Sequence, residues 1–202
     1  MKKNTIITLS VIGAVILGLV CIYASFKGSY NKMVALDEEV TAQWAQVQNQ
    51  YQRRMDLIPN LVSTVKGYAA HEASVFTEVA EARSQAGGVV NIDANVLEDE
   101  AAFKRYQQVQ DTLSSSLRRL LSVSENYPEL QANQNFLALQ DQLEGTENRI
   151  STERKRFNDS AREYNVYIRQ FPRSIIANRN GFRTKAYFEA SAQAQSAPVV
   201  QF

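Results

Sequence analysis

The residues that could do chemistry are few and scattered along this chain. His71 is the only histidine and Cys21 the only cysteine among the 202 residues. A Ser–His–Asp array, or a metal site built on histidine and cysteine, would therefore need partners from another chain. Neither of the glycine-rich phosphate-binding patterns, G-x-x-x-x-G-K and G-x-G-x-x-G, occurs. The sequence predicts no catalytic residue, no metal site and no cofactor, and we expect a protein that is not an enzyme.

The densest group of charged and turn-forming residues lies at positions 53–60. Aspartate is a good helix N-cap and proline is tolerated in a first helical turn, so Asp56 and Pro59 indicate the start of a helix, with exposed arginines before it. Arginine is also enriched where proteins meet, which makes a partner-binding surface the alternative interpretation. The candidate interaction surface also includes two residues further along the chain. Its members are Arg53, Arg54, Asp56, Pro59, Asn60, His71 and Glu72.

The overall charge argues against nucleic acid as a partner. Without Lys2 and Lys3, the 22 lysines and arginines become 20, against 21 aspartates and glutamates. Nucleic-acid binding depends on a basic field that neutralises phosphates, and this chain has none.

An uncharged apolar run of 21 residues occupies positions 6–26, after a short tail of residues 1–5. At about 1.5 Å per residue a helix of this length covers roughly 30 Å, the thickness of the hydrocarbon core of a bilayer. A secretory signal has a shorter apolar core, so a cleaved signal is the weaker alternative. We expect a single transmembrane anchor at 6–26 that contacts the lipid bilayer, with Cys21 as a small apolar residue within it.

The remainder of the chain predicts an all-α fold. Glycines and prolines are few, and apolar residues recur at spacings of three and four, which is typical of helices with one buried face. Short connections favour an antiparallel up-and-down four-helix bundle at 27–171, with long helices at about 28–55, 57–86, 97–126 and 129–170. The turn at 56–59 has an alternative, a single bent helix of nearly 60 residues.

Three further features complete the prediction. Glu147 and Arg154 fall on the inward phase of the fourth helix, and we expect their stems to pack and their charged heads to reach water, with a buried ion pair as the alternative. Residues 172–202 are predicted to be an irregular tail. Within that tail, Phe182, Tyr187 and Phe188 are expected to dock on the bundle.

Several stretches of the chain resemble the LemA family, and together they extend over nearly everything after the anchor. They are Tyr30, Asn31, Val40, Trp44, Val47 and Gln50, the runs 53–62 (RRMDLIPNLV) and 65–72 (VKGYAAHE), and the short matches at 82–83, 164–165, 171–172, 181–182 and 187–189. The resemblance implies a bacterial membrane-anchored protein with a soluble four-helix bundle and no assigned molecular activity. It also favours a helix boundary at Pro59, and it supplies no catalytic residue.

Together these features predict a structural or scaffolding protein at the bacterial inner membrane, acting through self-assembly as a homo-oligomer or through an unidentified membrane or envelope protein. The alternative is a tethered adaptor or sensor that binds a client protein or peptide. Positive charge on the two sides of the anchor is nearly balanced, with Lys2 and Lys3 before it and Lys27 and Lys32 after it. Charge before a first apolar segment usually stays cytoplasmic, so the bundle is expected outside the cytoplasm.

Overall fold

The computed structural model describes residues 3–189, with side chains from residue 9 onward. Over these residues the chain forms helices and no strand, which confirms the all-α prediction for the described part. The helices are α1 (Lys3–Lys66), α2 (Ala73–Gly87), α3 (Glu100–Ser124), the single turn α4 (Pro128–Gln131), α5 (Gln134–Arg169) and α6 (Arg173–Asn180), with a 3₁₀ helix at Ala94–Glu98.

The chain divides into two compact units. Of the described residues, the first contains 3–39 and 162–184, and the second contains 40–161 and 185–189. Helices α1 and α5 contribute residues to both.

Helix α1 passes through Pro59 without a break, so the predicted turn at 56–59 is wrong. The alternative of a single helix of nearly 60 residues is correct only as far as Lys66, where α1 ends, because α2 begins separately at Ala73. A proline removes the N–H that would bond the carbonyl four residues earlier, which here belongs to Met55. In the structure Arg83 Nε donates to that Met55 carbonyl at 3.5 Å. The freed acceptor is thus supplied by α2, and Asp56 caps no helix but accepts a hydrogen bond from Gln52 Nε2 at 2.8 Å.

The other boundaries also differ from the prediction. The predicted helices 28–55 and 57–86 are replaced by α1 and α2, which are joined by a turn at 67–72. The predicted helix 97–126 is α3, where the Asp99 side chain accepts from the N–H of Ala102 at 2.9 Å. The predicted helix 129–170 is split into α4 and α5, because Asn133 Oδ1 accepts from the N–H of Phe136 at 3.0 Å and starts a new helix.

The predicted irregular tail at 172–202 contains a helix, α6, which ends at Gly181. Residues 181–189 follow without regular structure, and residues 190–202 lie outside the described part. At the other end of the chain, residues 1–2 of the predicted tail 1–5 are also outside it, and α1 already includes Lys3.

The N-terminal part of α1 is apolar and unpacked. From Leu9 to Phe26 the described side chains are exposed, and Leu17, Ile22 and Tyr23 are among the most exposed of them. This is one helix long and apolar enough to cross a membrane, near the N-terminus of the chain.

The second unit is organised around an aliphatic cluster. Helices α1, α2, α3 and α5 contribute to it, and α4 adds Leu130. Burying a Leu, Val, Ile or Met side chain contributes about 1.5 to 3 kcal/mol, so this cluster is a main source of stability. Its largest contributors include Met55, Ile58, Leu61, Leu113, Leu117, Leu120, Phe136 and Leu143.

Candidate functional site

Only part of the predicted interaction surface at positions 53–60 is exposed in the structure. Arg53, Asp56, Pro59 and Asn60 are exposed. Since residues three, four and seven apart share one side of a helix, these four lie on one outer face of α1. Arg54 is fully buried, with 0% of its side chain exposed. The prediction that Arg54 belongs to an exposed interaction surface is therefore wrong.

The remaining two members of that surface lie beyond the end of α1. His71 is exposed and Glu72 is half-buried, in the turn before α2. The Tyr127 hydroxyl donates to Glu72 Oε1 at 3.4 Å, which ties this turn to the connection between α3 and α4. Glu72 thus has a structural partner, and His71 is left on the surface.

Arg54 is the centre of a buried polar cluster between three helices. Its Nη1 donates to Ser114 Oγ at 2.7 Å and to Glu147 Oε1 at 2.9 Å, and its Nη2 donates to Gln110 Oε1 at 2.6 Å. The guanidinium also lies 5.1 Å from the centre of the Tyr51 ring. One side chain of α1 is therefore bonded to both α3 and α5. A planar guanidinium can make these bonds together, whereas a lysine would present a single point charge.

A second arginine repeats this arrangement beside the first. Arg154 Nε donates to the Tyr51 hydroxyl at 2.6 Å, and its Nη2 donates to Asp111 Oδ1 at 3.1 Å. Its guanidinium also lies 4.9 Å from the centre of the Phe188 ring. We call Tyr51, Arg54, Gln110, Asp111, Ser114, Glu147 and Arg154 the arginine network. Its two arginines and two carboxylates balance in charge.

The prediction that the charged heads of Glu147 and Arg154 reach water is correct for Glu147 but not for most of the Arg154 side chain. Glu147 keeps 38% of its side chain exposed, whereas Arg154 is mostly buried at 20%. The signal for the arginine network was present in the helix phase. Arg54 falls between Tyr51 and Ile58 in a run of buried positions spaced by three and four. Gln110 holds the same place between Tyr106 and Leu113 on α3.

Burial shifts the ionisation of two tyrosines in this region to higher pH. The pKa of Tyr51 is raised above its usual value by burial, against the opposing effect of Arg154 and Arg54. The pKa of Tyr106 is raised as well, again chiefly by burial and further by Tyr51. Both phenols are therefore neutral hydrogen-bonding groups at physiological pH. Tyr51 uses its hydroxyl on Arg154, while the buried Tyr106 hydroxyl has no hydrogen-bond partner among the described residues.

Next to the arginine network lies an aromatic cluster that includes a residue from the end of the chain. Trp44, Phe103, Phe157 and Phe188 pack with ring centres 4.8 to 6.2 Å apart. The predicted docking of Phe188 is thus confirmed. The Tyr187 side chain is 41% exposed.

Two side-chain amides hold the backbone around Phe188. Asn158 Nδ2 donates to the Phe188 carbonyl at 2.9 Å, and Asn158 Oδ1 accepts from the Phe188 N–H at 2.9 Å. Gln107 does the same with Glu189, at 2.8 and 3.2 Å. Lys185 Nζ adds an ion pair to Glu98 Oε1 at 2.9 Å. We call residues 185–189 the C-terminal arm.

A cavity of about 580 Å³ opens beside the arginine network. Arg154, Asp111 and Glu147 line it together with Phe188, so charged groups of both signs face an aromatic ring. Among the described residues no group of three or more His, Cys, Asp or Glu side chains could hold a metal ion. The charged groups at this site are paired with one another across helices, and the arrangement fixes the register of α1, α3 and α5.

Comparison with known proteins identifies relatives of this chain. Magnetosome protein MamQ of Magnetospirillum gryphiswaldense is 28% identical over 188 residues, which cover 86% of this chain and 69% of that protein. Magnetosome protein MamQ 2 of Paramagnetospirillum magneticum is 27% identical over 189 residues, covering 86% of this chain and 70% of that protein. The model of the LemA family matches residues 43–202. The chain therefore belongs to the LemA family, as its residues predicted.

Proposed function

We propose that this protein is a membrane-anchored scaffold that works by assembling with other copies of itself. The observation that carries the proposal is that α1 has two different parts. Leu9 to Phe26 presents exposed apolar side chains of spanning length, whereas Val40 to Val65 contributes a regular stripe to the packed core of the second unit. A single helix thus links the membrane segment to the folded helices.

The folded helices are proposed to form an antiparallel four-helix bundle. Support comes from the aliphatic cluster, to which α1, α2, α3 and α5 all contribute. The end of α2 also returns to the middle of α1, because Arg83 reaches the Met55 carbonyl and Gly87 lies against the Met55 side chain. A short connection between helices that pack together is typical of antiparallel neighbours.

The exposed face formed by Arg53, Asp56, Pro59 and Asn60 is the proposed contact surface between copies. It combines charges of both signs on a rigid helix, so the same patch on two copies can be self-complementary across a two-fold axis. The relatives are named as magnetosome proteins, which supports a role as a component of a cellular structure.

The anchor is tested by placing charge in the middle of the apolar segment. A Val15→Lys/Leu19→Lys variant is expected to lose flotation with membranes, since each lysine at the centre of a membrane helix costs about 2.5 to 3.5 kcal/mol. The control is Leu137→Lys, at an exposed apolar position outside the segment, which should float as the parent does. A Val15→Lys/Leu19→Lys protein that still resists alkaline carbonate extraction would refute the anchor.

The assembly surface is tested by site-specific photocrosslinking in cells. A benzoylphenylalanine at position 53 or 60 is expected to crosslink one copy to another, while the same group at the exposed Arg105 should not. A stoichiometric crosslink from positions 53 and 60 to a different protein, with none between copies, would replace the scaffold by an adaptor.

The side of the membrane is proposed to be extracytoplasmic. A Leu137→Cys/Cys21→Ser protein places one exposed thiol in the second unit. We expect a membrane-impermeant maleimide to label it in intact spheroplasts. Labelling only after lysis would put this unit in the cytoplasm.

A further inference from the structure

We infer that residues 164–184 form a second membrane contact, in which arginines bind anionic lipid headgroups and Phe171 and Ile175 enter the bilayer interface. This inference rests on the proposed anchor, because it places α6 against the same bilayer. Every residue that carries it belongs to the first unit.

The position of α6 is fixed next to the point where the apolar run ends. The Phe182 ring packs on the Tyr30 ring with centres 5.7 Å apart, in an edge-to-face arrangement. Tyr30 follows Phe26 by four residues, which is about 6 Å along a helix. Gly181, with a φ of 78°, ends α6 in the left-handed conformation and directs the chain to this contact. Tyrosine is also a residue that membrane interfaces favour.

The charge of this segment is of one sign. Residues 164–184 contain four arginines and neither aspartate nor glutamate. Arg169, Arg179 and Arg183 are exposed, and the Arg173 guanidinium lies 4.2 Å from the centre of the Tyr167 ring. On α1, Lys27 and Lys32 also precede the first acidic residue after the apolar run, which is Asp37.

The acidic side chain that precedes the segment is already engaged. Glu163 lies 4.0 Å from Lys32, so its charge offsets that of Lys32, and the four arginines of residues 164–184 remain in excess. A cationic patch beside a membrane segment is attracted to anionic headgroups, and each arginine near such a surface contributes about a fivefold increase in binding.

Two apolar side chains stand out beside these arginines. Phe171 is 82% exposed and Ile175 is 60% exposed. Large apolar side chains next to arginines form the pattern of helices that lie in a membrane interface. An aqueous surface gives Phe171 no packing partner, whereas the headgroup and acyl boundary of a bilayer would bury it.

The contact is tested by an environment-sensitive dye on the full chain in vesicles. A Cys21→Ser background with Phe171→Cys or Ile175→Cys receives a nitrobenzoxadiazole label, and Leu137→Cys, near the opposite end of α5, is the control. Vesicles contain phosphatidylcholine alone or mixed with phosphatidylglycerol. We expect blue-shifted emission and quenching by spin-labelled lipid at 171 and 175, strongest with phosphatidylglycerol, and aqueous emission at 137.

The charge requirement is tested by changing Arg169, Arg173, Arg179 and Arg183 together to Gln. We expect the phosphatidylglycerol effect at position 171 to disappear, with a shift of about fivefold per arginine in the ratio of lipid-contacting to water-exposed label. The matched control changes four exposed arginines of the second unit, Arg105, Arg118, Arg149 and Arg156, and should retain the effect.

The outcomes separate this contact from the anchor. Protein that floats with vesicles but gives aqueous emission at 171 and 175 in both lipids overturns the membrane contact and leaves the anchor intact. Protein that does not float overturns the anchor itself. Lipid contact at 171 that is equal in the two lipids and unchanged by the arginine substitutions overturns the role of the headgroups.

Discussion

The second unit contains two layers, the aliphatic cluster and the aromatic and arginine layer, whose helices are held together by different contacts. In the aliphatic cluster, α1, α2, α3 and α5 contribute mainly Leu, Ile, Val, Ala and Met side chains, and the single turn α4 adds Leu130. In the aromatic and arginine layer, α1, α3 and α5 are joined by the C-terminal arm, which supplies Phe188. Helix α2 ends at Gly87 beside Met55, before it reaches Trp44 along α1. The second layer therefore has one helix fewer and a non-helical segment in addition.

The difference teaches what each layer contributes. Aliphatic packing is non-directional, so it stabilises the fold and tolerates swaps that conserve volume. A buried guanidinium requires its acceptors at particular places, so Arg54 is satisfied only when α3 and α5 are in register with α1. We expect the aliphatic cluster to supply most of the stability and the arginine network to define a single arrangement.

The largest expected effect comes from removing the guanidinium of Arg54. Arg54→Met should lower the free energy of unfolding by about 3 to 5 kcal/mol, because it removes the donor of the buried Gln110 and the half-buried Ser114 and breaks the ion pair with Glu147. Leu120→Met, a swap of similar size in the aliphatic cluster, should cost less than about 1.5 kcal/mol. Urea unfolding monitored by circular dichroism measures both. Equal costs would show that the two layers do not differ.

The next effect concerns the C-terminal arm. Phe188→Ala should destabilise the protein by about 3 kcal/mol, which is the lower end of the range for a buried phenylalanine. The lower end is expected because the C-terminal arm can detach, so that a full cavity need not remain. Trp44 is the only tryptophan and stacks on Phe188, so its fluorescence reports the loss directly. Tyr187→Ala, at an exposed position, is the control. Unchanged Trp44 emission in Phe188→Ala would mean that the arm does not occupy this place in solution.

Alkaline pH should weaken the aromatic and arginine layer selectively. Burial raises the pKa values of Tyr51 and Tyr106 above those in the unfolded chain. A raised pKa gives stability that is complete below about pH 10, the unfolded value, and that falls as the pH rises further, by up to about 1.4 kcal/mol per pH unit for each tyrosine. Urea midpoints measured between neutral and alkaline pH test this. A Tyr51→Phe/Tyr106→Phe protein with the same decline would contradict it.

A smaller effect should separate the two tyrosines. Tyr51→Phe removes the acceptor of Arg154 Nε and should cost about 1 to 2 kcal/mol. Tyr106→Phe removes a hydroxyl that has no hydrogen-bond partner among the described residues, so it should be neutral or slightly stabilising. Thermal unfolding of both variants at neutral pH makes the comparison. If Tyr106→Phe were the more destabilising of the two, the hydrogen bonding assigned to this layer would be wrong.

The smallest effect on the free energy of unfolding is expected at Arg53, the residue next to Arg54. Arg53→Gln changes an exposed residue and should alter the free energy of unfolding by no more than about 0.5 kcal/mol. Crosslinking between copies should fall all the same if Arg53 belongs to the assembly surface. Urea unfolding and crosslinking yield, measured on the same preparation, check the two statements separately.

Much of this organisation could be predicted from the residues. The stripe that includes Met33, Val40, Trp44 and Tyr51 gave the buried face of α1, and the uncharged run at 6–26 gave its exposed apolar part. The continuity of α1 through Pro59 could not be predicted from local sequence, because the donor that serves the Met55 carbonyl comes from Arg83 on another helix. Local rules for proline consider a single helix, whereas here a hydrogen bond from the neighbouring helix α2 satisfies the carbonyl that the proline leaves free.

The arginine network could be predicted from the sequence only in part. Helix phase places Arg54, Gln110, Glu147 and Arg154 on inward positions, but residue type argued for exposure of the arginines. Which carboxylate meets which guanidinium depends on the register between helices, and no spacing within one helix contains that information. The hydrogen bonds that hold the C-terminal arm are harder still to predict from the sequence, since Gln107 and Glu189 lie 82 residues apart.

The most direct test of the proposed scaffold is the number of copies in a native-like membrane. Full-length protein is extracted with its surrounding lipid into polymer nanodiscs, and copies per disc are counted by single-molecule bleaching of a fluorescent fusion. A membrane-anchored scaffold predicts two or more copies per disc, reduced toward one when Arg53, Asp56 and Asn60 are changed to Ala. Single copies at every expression level would contradict it.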